Sequence, residues 1–367
     1  IQLSGALTFA DVKNDTEAVV TVLNPQTDDL APSISAANGA IRLQARSILQ
    51  TQSMASGRTN NGSVGGSAGI GIQLVENRLT SKINGADNAS VDITSDNLTV
   101  AALTQAYEDN ITDLNKYSVF VSSGVGNNGD DDEVGIAGAI AVQVSNVNDV
   151  TAEIGDNVSV SVDDDVTVTA SNNTEVKVKA DGSKGAQAAS DRFFAVLDNA
   201  SPSEEFVKTN STSGKLGIGA SFAFAITEND VTARVDGGAT FTGTDNLSVI
   251  ANQLSTTESE ARSSGNGGVA IVPLAAISVA RNNALALIDS GSTTLSIADR
   301  ANIQSTQDVL TTSVGNGAAA TGGDSSLQVA VGLSAGISVG FDSNTAKLAR
   351  DLTVPGGLEI AALTSHD

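Results

Sequence analysis

One string of alternating residues, LGIGASFAFAITEND at Leu216–Asp230, returns in diverged form along the whole chain. A repeat constrains a fold strongly, because a single supersecondary unit must then bury its faces against copies of itself. The copies read VGGSAGIGIQLVENR (Val64–Arg78), VGIAGAIAVQVSNVND (Val134–Asp149), VAIVPLAAISVARNN (Val269–Asn283) and VGLSAGISVGFDSNT (Val331–Thr345), with IQLSGALTFADVKND (Ile1–Asp15) at the start. Each alternates an aliphatic or Phe residue with Ala, Gly or Ser, then reaches an Asn: Asn14, Asn77, Asn148, Asn229, Asn282 and Asn344. Period-two alternation over about eleven residues predicts a strand on the order of 36 Å long, at ~3.3 Å per residue. Helix competes for Ala-rich runs, but the β-branched alternation and flanking Gly oppose it.

After each Asn comes a short element, VTAEI from Val150, VTARV from Val231, LTSKI from Leu79 and ALALI from Ala284. A third follows an Asp, Asn or Gly turn: NLTVAAL from Asn97, DVTVTAS from Asp165, NLSVIAN from Asn246 and GLEIAAL from Gly357. Ser/Thr/Gly-rich connectors absorb the length differences, as outward-bulging insertions do in a solenoid. The expected fold is therefore all-β, a parallel β-solenoid (β-helix) of six diverged repeats starting near residues 1, 64, 134, 216, 269 and 331. Residues 1–367 then form one elongated repeat domain, with an insert at 181–215. Within it AQAASDRFFAVL (Ala186–Leu197) has helical spacing at Phe193, Val196 and Leu197 and reads as a short helix over the solenoid. An array of β-sandwich repeats is the alternative. Placing the large residues inside, Ile136, Ile140, Val142 and Val144 share a buried face, as do Ile218, Phe222, Phe224 and Ile226. A Phe224→Asp substitution is then expected to cost several kcal/mol.

Composition agrees with thin layers: Gly at 36, nine Phe, two Tyr and no Trp leave a core of Val, Ile, Leu and Ala. With 42 acidic and 19 basic residues, net −23, nucleic acid and anionic membrane surfaces are disfavoured partners. There is no Cys, so no disulfide frame or thiolate metal site. No apolar run of about 18 residues predicts a transmembrane helix.

The order of an Ala/Gly-alternating strand, an Asn turn, a VTAxI strand and a DVTVTA strand resembles the repeats of giant bacterial surface proteins, the adhesin-like, haemagglutinin-like secreted proteins. Val134–Ser171 and Leu216–Asn252 carry the resemblance best, and the copies near Ile1 and Val269 are looser. It implies a β-helical fold, a secreted or cell-surface place in a bacterium, adhesion or scaffolding, and no cofactor chemistry.

The recurring Asn reads two ways: as turn residues that tolerate left-handed backbone, or as a stacked amide ladder between coils. The acidic runs Asp130, Asp131, Asp132, Glu133 and Asp163, Asp164, Asp165 are the only plausible ion sites, and calcium is the ion they suit. They match neither the EF-hand nor the calcium β-roll spacing, so solvated charge is the default. A pocket holding Tyr107 and Tyr117 beside carboxylates would bind a ligand. The sole histidine, His366, makes a histidine-based triad depend on a terminal residue. GNGG near Gly265 and GNGAAATGG near Gly315 lie in connectors and are not phosphate loops.

The function so read is structural, not enzymatic. The chain is a rigid scaffold segment of an extracellular or cell-surface fibre or adhesin, stacking end to end on itself or on flanking repeats. A carbohydrate- or cation-binding adhesin module, with surface glycans as partners, is the alternative, and a polysaccharide-degrading β-helix enzyme the third reading.

Overall fold

The computed structural model describes residues 1–22, 33–60, 64–86, 89–104, 114–126, 134–183, 215–321 and 328–366. The chain winds as six stacked coils of three strands each. Coil one has β1 (Gln2–Thr21), β2 (Ser33–Arg46) and β3 (Gln50–Asn60); coil two has β4 (Val64–Asn84), β5 (Val91–Leu103) and β6 (Asn115–Gly126). Coil three has β7 (Val134–Ile154), β8 (Val158–Val162) and β9 (Asp165–Ser183); coil four has β10 (Leu216–Val235), β11 (Thr240–Thr242) and β12 (Asn246–Gly267). Coil five has β13 (Val269–Ile288), β14 (Leu295–Ser296) and β15 (Arg300–Thr321); coil six has β16 (Val329–Leu348), β17 (Leu352–Thr353) and β18 (Gly357–His366).

The first strands of the coils form a six-stranded sheet in the order β1-β4-β7-β10-β13-β16, every pair parallel. The returning strands form the second, ten-stranded sheet, again parallel between coils. Parallel pairing of successive repeats is what a β-solenoid makes and a sandwich array does not. At ~4.8 Å between strands and ~3.3 Å per residue, the body is about 66 Å along the strands but only about 24 Å from first coil to last.

Two walls and a short third one enclose a wedge. At the wide end the second halves of the six-stranded sheet (Leu79, Ile83, Val150, Ile154, Val231, Ile288) face the first halves of the other sheet (Leu98, Val100, Val166, Val168, Leu247, Ile303). Here a third wall from β8, β11 and β14 (Val160, Phe241, Leu295) separates them, so branched aliphatics fit. At the narrow end no third wall intervenes and the sheets nearly touch. A Cβ on Gly182 would lie 2.0 Å from the Ala220 carbonyl oxygen, and one on Gly217 would lie 2.4 Å from that of Asn266. Small residues such as Ala139, Ala141, Ala223, Ala225 and Ala276 are buried there, opposite Val119, Val176 and Val178.

That narrowness inverts the expected facing. Ala137, Ala139 and Ala141 are buried, while Ile136 and Ile140 are 45% and 41% exposed. Val142, Val144, Ile218, Phe222, Phe224 and Ile226 sit on the same outer surface, half-buried only by their neighbours. The period of two was right, but in β7 and β10 the large member of each pair points out because the gap there accepts only the small one. In β13 Val272 and Leu274 point in, Leu274 lying against Gly315 and Gly317.

Two further corrections concern the repeat. Asn14, Asn77, Asn148, Asn229 and Asn282 lie inside continuous strands of 20 or 21 residues, not at turns, so the alternating run and the VTAxI element are one strand. In coil six the register pairs Val269 with Val329 and Asn282 with Asp342, two residues off the sequence alignment, so Asn344 faces Ala284 instead. The insert helix falls on 184–214, outside the described residues.

The inversion makes opposite predictions for adjacent residues. Ala223→Asp places a charge in the narrow core and is expected to cost at least ~3 kcal/mol. Phe224→Asp, on the outer face, is expected to change unfolding free energy by less than about 1 kcal/mol at concentrations where the chain is monomeric. Urea melts of the two variants check this; equal destabilisation would contradict the facing.

Candidate functional site

Between the wide and narrow cores runs a buried polar seam. Successive coils put Asn14, Asn77, Asn148, Asn229, Asn282 and Asp342 at one position of the six-stranded sheet. Their side chains bond along the stack: Asn14 Nδ2 donates to Asn77 Oδ1 (2.7 Å), Asn148 to Asn229 (2.8 Å), Asn229 to Asn282 (2.8 Å) and Asn282 to Asp342 Oδ1 (2.8 Å). The ladder breaks between Asn77 and Asn148, beside the bulge where β4 and β7 shift register. There the Tyr117 hydroxyl donates to Asn148 Oδ1 at 2.9 Å. The Asn77 amide nitrogen makes no bond to Asn148. The other four amides, of Asn14, Asn148, Asn229 and Asn282, donate in the same direction, and the last acceptor is a carboxylate, which strengthens the series. His366 Nδ1 lies 3.0 Å from Asp342 Oδ2. The opposite sheet completes the seam, with Ser255 Oγ accepting from Asn229 and Gln253 Nε2 donating to Asn282.

The ladder is structural, and Asn344 is not in it. That side chain donates to the Leu363 carbonyl (2.7 Å) and Thr364 Oγ1 (3.0 Å). Tyr117 is fully buried, and burial pushes its phenol far above the ordinary range. It lines no open pocket, and Tyr107 lies outside the described residues.

Asp130–Glu133 also lie outside them. Asp163, Asp164 and Asp165 occupy the tight turn from β8 to β9, where their polar groups bind neighbouring coils. Asn97 Nδ2 donates to Asp164 Oδ2 (3.3 Å) and Asn246 Nδ2 to Asp165 Oδ1 (2.8 Å). The Asp164 carbonyl accepts from the Asp245 amide at 2.7 Å. Among the described residues no three carboxylate or imidazole groups gather to hold a metal; adjacent residues in a strand-linking turn fan apart instead of converging.

Charge does converge at the wide end, a feature sequence reasoning missed because the residues come from separate coils. Lys82 pairs with Glu153 at 2.8 Å, and Arg234 bridges Asp236 and Asp289, the latter at 2.7 Å. Burial, then hydrogen bonding and repulsion from Glu153, raise Asp236 to about 7 despite Arg234. Asp289 is held low, first by the Ser290 backbone amide. Arg350 is buried nearby and donates to the carbonyls of Thr293 (2.6 Å) and Ala239 (3.1 Å), tying the corners of coils four to six.

The outer face of the six-stranded sheet is the largest unassigned feature. Three in-register rows cross all six coils: Leu7, Ile70, Ile140, Phe222, Ala275, Ala335; then Phe9, Ile72, Val142, Phe224, Ile277, Ile337; then Asp11, Leu74, Val144, Ile226, Val279, Val339. A fourth row toward the strand starts holds Leu3, Ile136, Ile218, Ile271 and Val331. Phe222 and Phe224 stack with ring centres 6.0 Å apart. Asp11 is the one charge in these four rows among the described residues. Next come charged rows with Glu76, Glu228 and Arg281, and a groove of about 630 Å³ lined by Glu228, Asp230, Arg281 and Asp342. The other sheet's outer face is polar: Thr167, Thr169, Ser171, Asn173, Glu175 and Lys177 on β9. Its apolar residues, among them Met54, Ile250, Leu254, Leu310, Val314 and Leu363, are scattered among Gln, Asn, Thr, Asp, Glu and Lys and form no continuous rows across the coils.

No protein-family model matches the chain, nor does any curated protein or solved structure.

Two predictions follow the polar groups. Asn229→Ala removes a partner of both Asn148 and Asn282, each of which keeps two other bonds; the expected loss in urea unfolding is about 1–3 kcal/mol. Asp236 binds its proton more tightly folded than unfolded, where its pKa is about 3.9. Stability is therefore lost as pH rises from about 4 through about 7. Asp236→Asn is expected to melt higher than the parent at pH 8 and no higher at pH 4.

Proposed function

We propose that the chain is a structural scaffold, a rigid β-solenoid segment of an extracellular or cell-surface fibre or adhesin of the bacterial haemagglutinin-like kind. The observation that supports this is the in-register stacking: six parallel strands of 20 or 21 residues, paired residue for residue except at a bulge on β7, with amide bonds joining coils one to two and three to six. Such a stack can be extended by further coils, in the same chain or in another copy, because each coil meets the next with the same hydrogen-bonding edge. Reach along the stack is modest. Roughly 60 residues per coil add only ~4.8 Å of height, so the scaffold offers wide faces more than length.

A second reading, a carbohydrate- or cation-binding module, draws on the groove beside Glu228, Asp230 and Arg281. Isothermal titration with calcium and with acidic and neutral oligosaccharides, repeated on Asp230→Ala, tests it; heat lost in the variant alone would favour it.

Force spectroscopy with handles on coils one and six tests the scaffold. The expected trace is a series of separate ruptures, each releasing about 200 Å of chain, the extended length of one coil at ~3.5 Å per residue. A single low-force collapse without coil-sized steps would overturn a load-bearing role.

A further inference from the structure

The geometry points to a homophilic docking surface: two copies of this chain pack face to face through the apolar outer rows of their six-stranded sheets. This rests on the fold and not on the scaffold reading. The face is not ordinary solvated sheet, since the opposite wall of the same body follows the expected polar pattern. Leu3, Leu7 and Phe9 are 81%, 74% and 62% exposed, and Ile337 and Leu333 at the other end are 48% and 68% exposed. Ile140 in the middle is still 41% exposed.

Size and shape select the occupant. Five strand gaps by eight residues give about 24 Å by about 26 Å, on the order of 650 Å² in projection. The largest apolar patch of a typical monomer is roughly 300–600 Å². A stable interface takes about 800 Å² of accessible surface from each partner, a value that a corrugated side-chain surface of this projected size approaches. A single helix, about 10 Å wide, would leave more than half of it wet. A second flat sheet covers it entirely, with side chains interdigitating at about 10 Å separation. This chain supplies such a sheet, and a twofold axis lying in the plane between the copies lays the patch on itself, the isologous arrangement. A bilayer would also be apolar and flat, but a net charge of −23 opposes approach to an anionic membrane. The same charge repels a second copy until salt screens it, so association is expected to tighten as ionic strength rises.

Sedimentation velocity of the whole chain over a concentration series, at low and at about 0.5 M salt, tests this. Expected is a discrete dimer, tighter at high salt, and at least tenfold weaker in Phe224→Asp and in Ile140→Asp. Thr169→Asp, on the polar sheet, is expected to dimerise normally; melting curves confirm that all three remain folded. Because the chain has no Cys, Val142→Cys near the patch centre is expected to form a disulfide-linked dimer on mild oxidation and Thr169→Cys is not. A strictly monomeric parent, end-to-end oligomers insensitive to Phe224→Asp, or flotation of a monomeric parent with neutral lipid vesicles would each overturn the proposal.

Discussion

Everything in this molecule depends on parallel strand pairing between coils. At one residue of register per residue of strand, each side chain sits above its counterpart in the neighbouring coil. A choice made at one position is therefore repeated six times, and small preferences become continuous rows. An isolated buried Asn would be a burden, whereas Asn148, Asn229 and Asn282, ending on Asp342, satisfy one another along the stack. Isolated exposed isoleucines would mean little, but rows of them make a surface.

The wedge follows from where the third wall is placed. Short strands such as β8 hold the sheets apart at one end, and Val, Ile and Leu fill the space. Beyond the polar seam nothing holds them apart, and glycine becomes necessary where one backbone crosses another, as at Gly182 over Ala220. Close approach at the narrow end and apolar rows outside it are two results of one fact. A pair of alternating residues has only two places to go, and along β7 and β10 the larger does not fit inside.

Fold class was readable because solenoid repeats leave a direct mark on the sequence. The long strands, parallel stacking and matched Asn positions come from LGIGASFAFAITEND and its relatives alone. The alignment failed in coil six, where Asp342 takes the position assigned to Asn344. Both are short polar residues near the same motif, and only pairing with Asn282 separates them. The charge cluster of Glu153, Arg234, Asp236 and Asp289 left no local signal, because coils far apart in sequence bring those groups together.

By itself, then, the sequence determined period, strand and stacking: alternation fixes two faces, and repetition fixes neighbours. It could not determine which face is inside. Ile140 beside Ala141, or Phe224 beside Ala225, reads as a core residue next to a spacer whenever burial is inferred from hydrophobicity. The tertiary structure decided otherwise because the space between the two sheets is set by their separation, and at the narrow end Val119, Val176 and Val178 of one sheet leave room only for Ala, Ser and Gly on the facing stretches of β7 and β10.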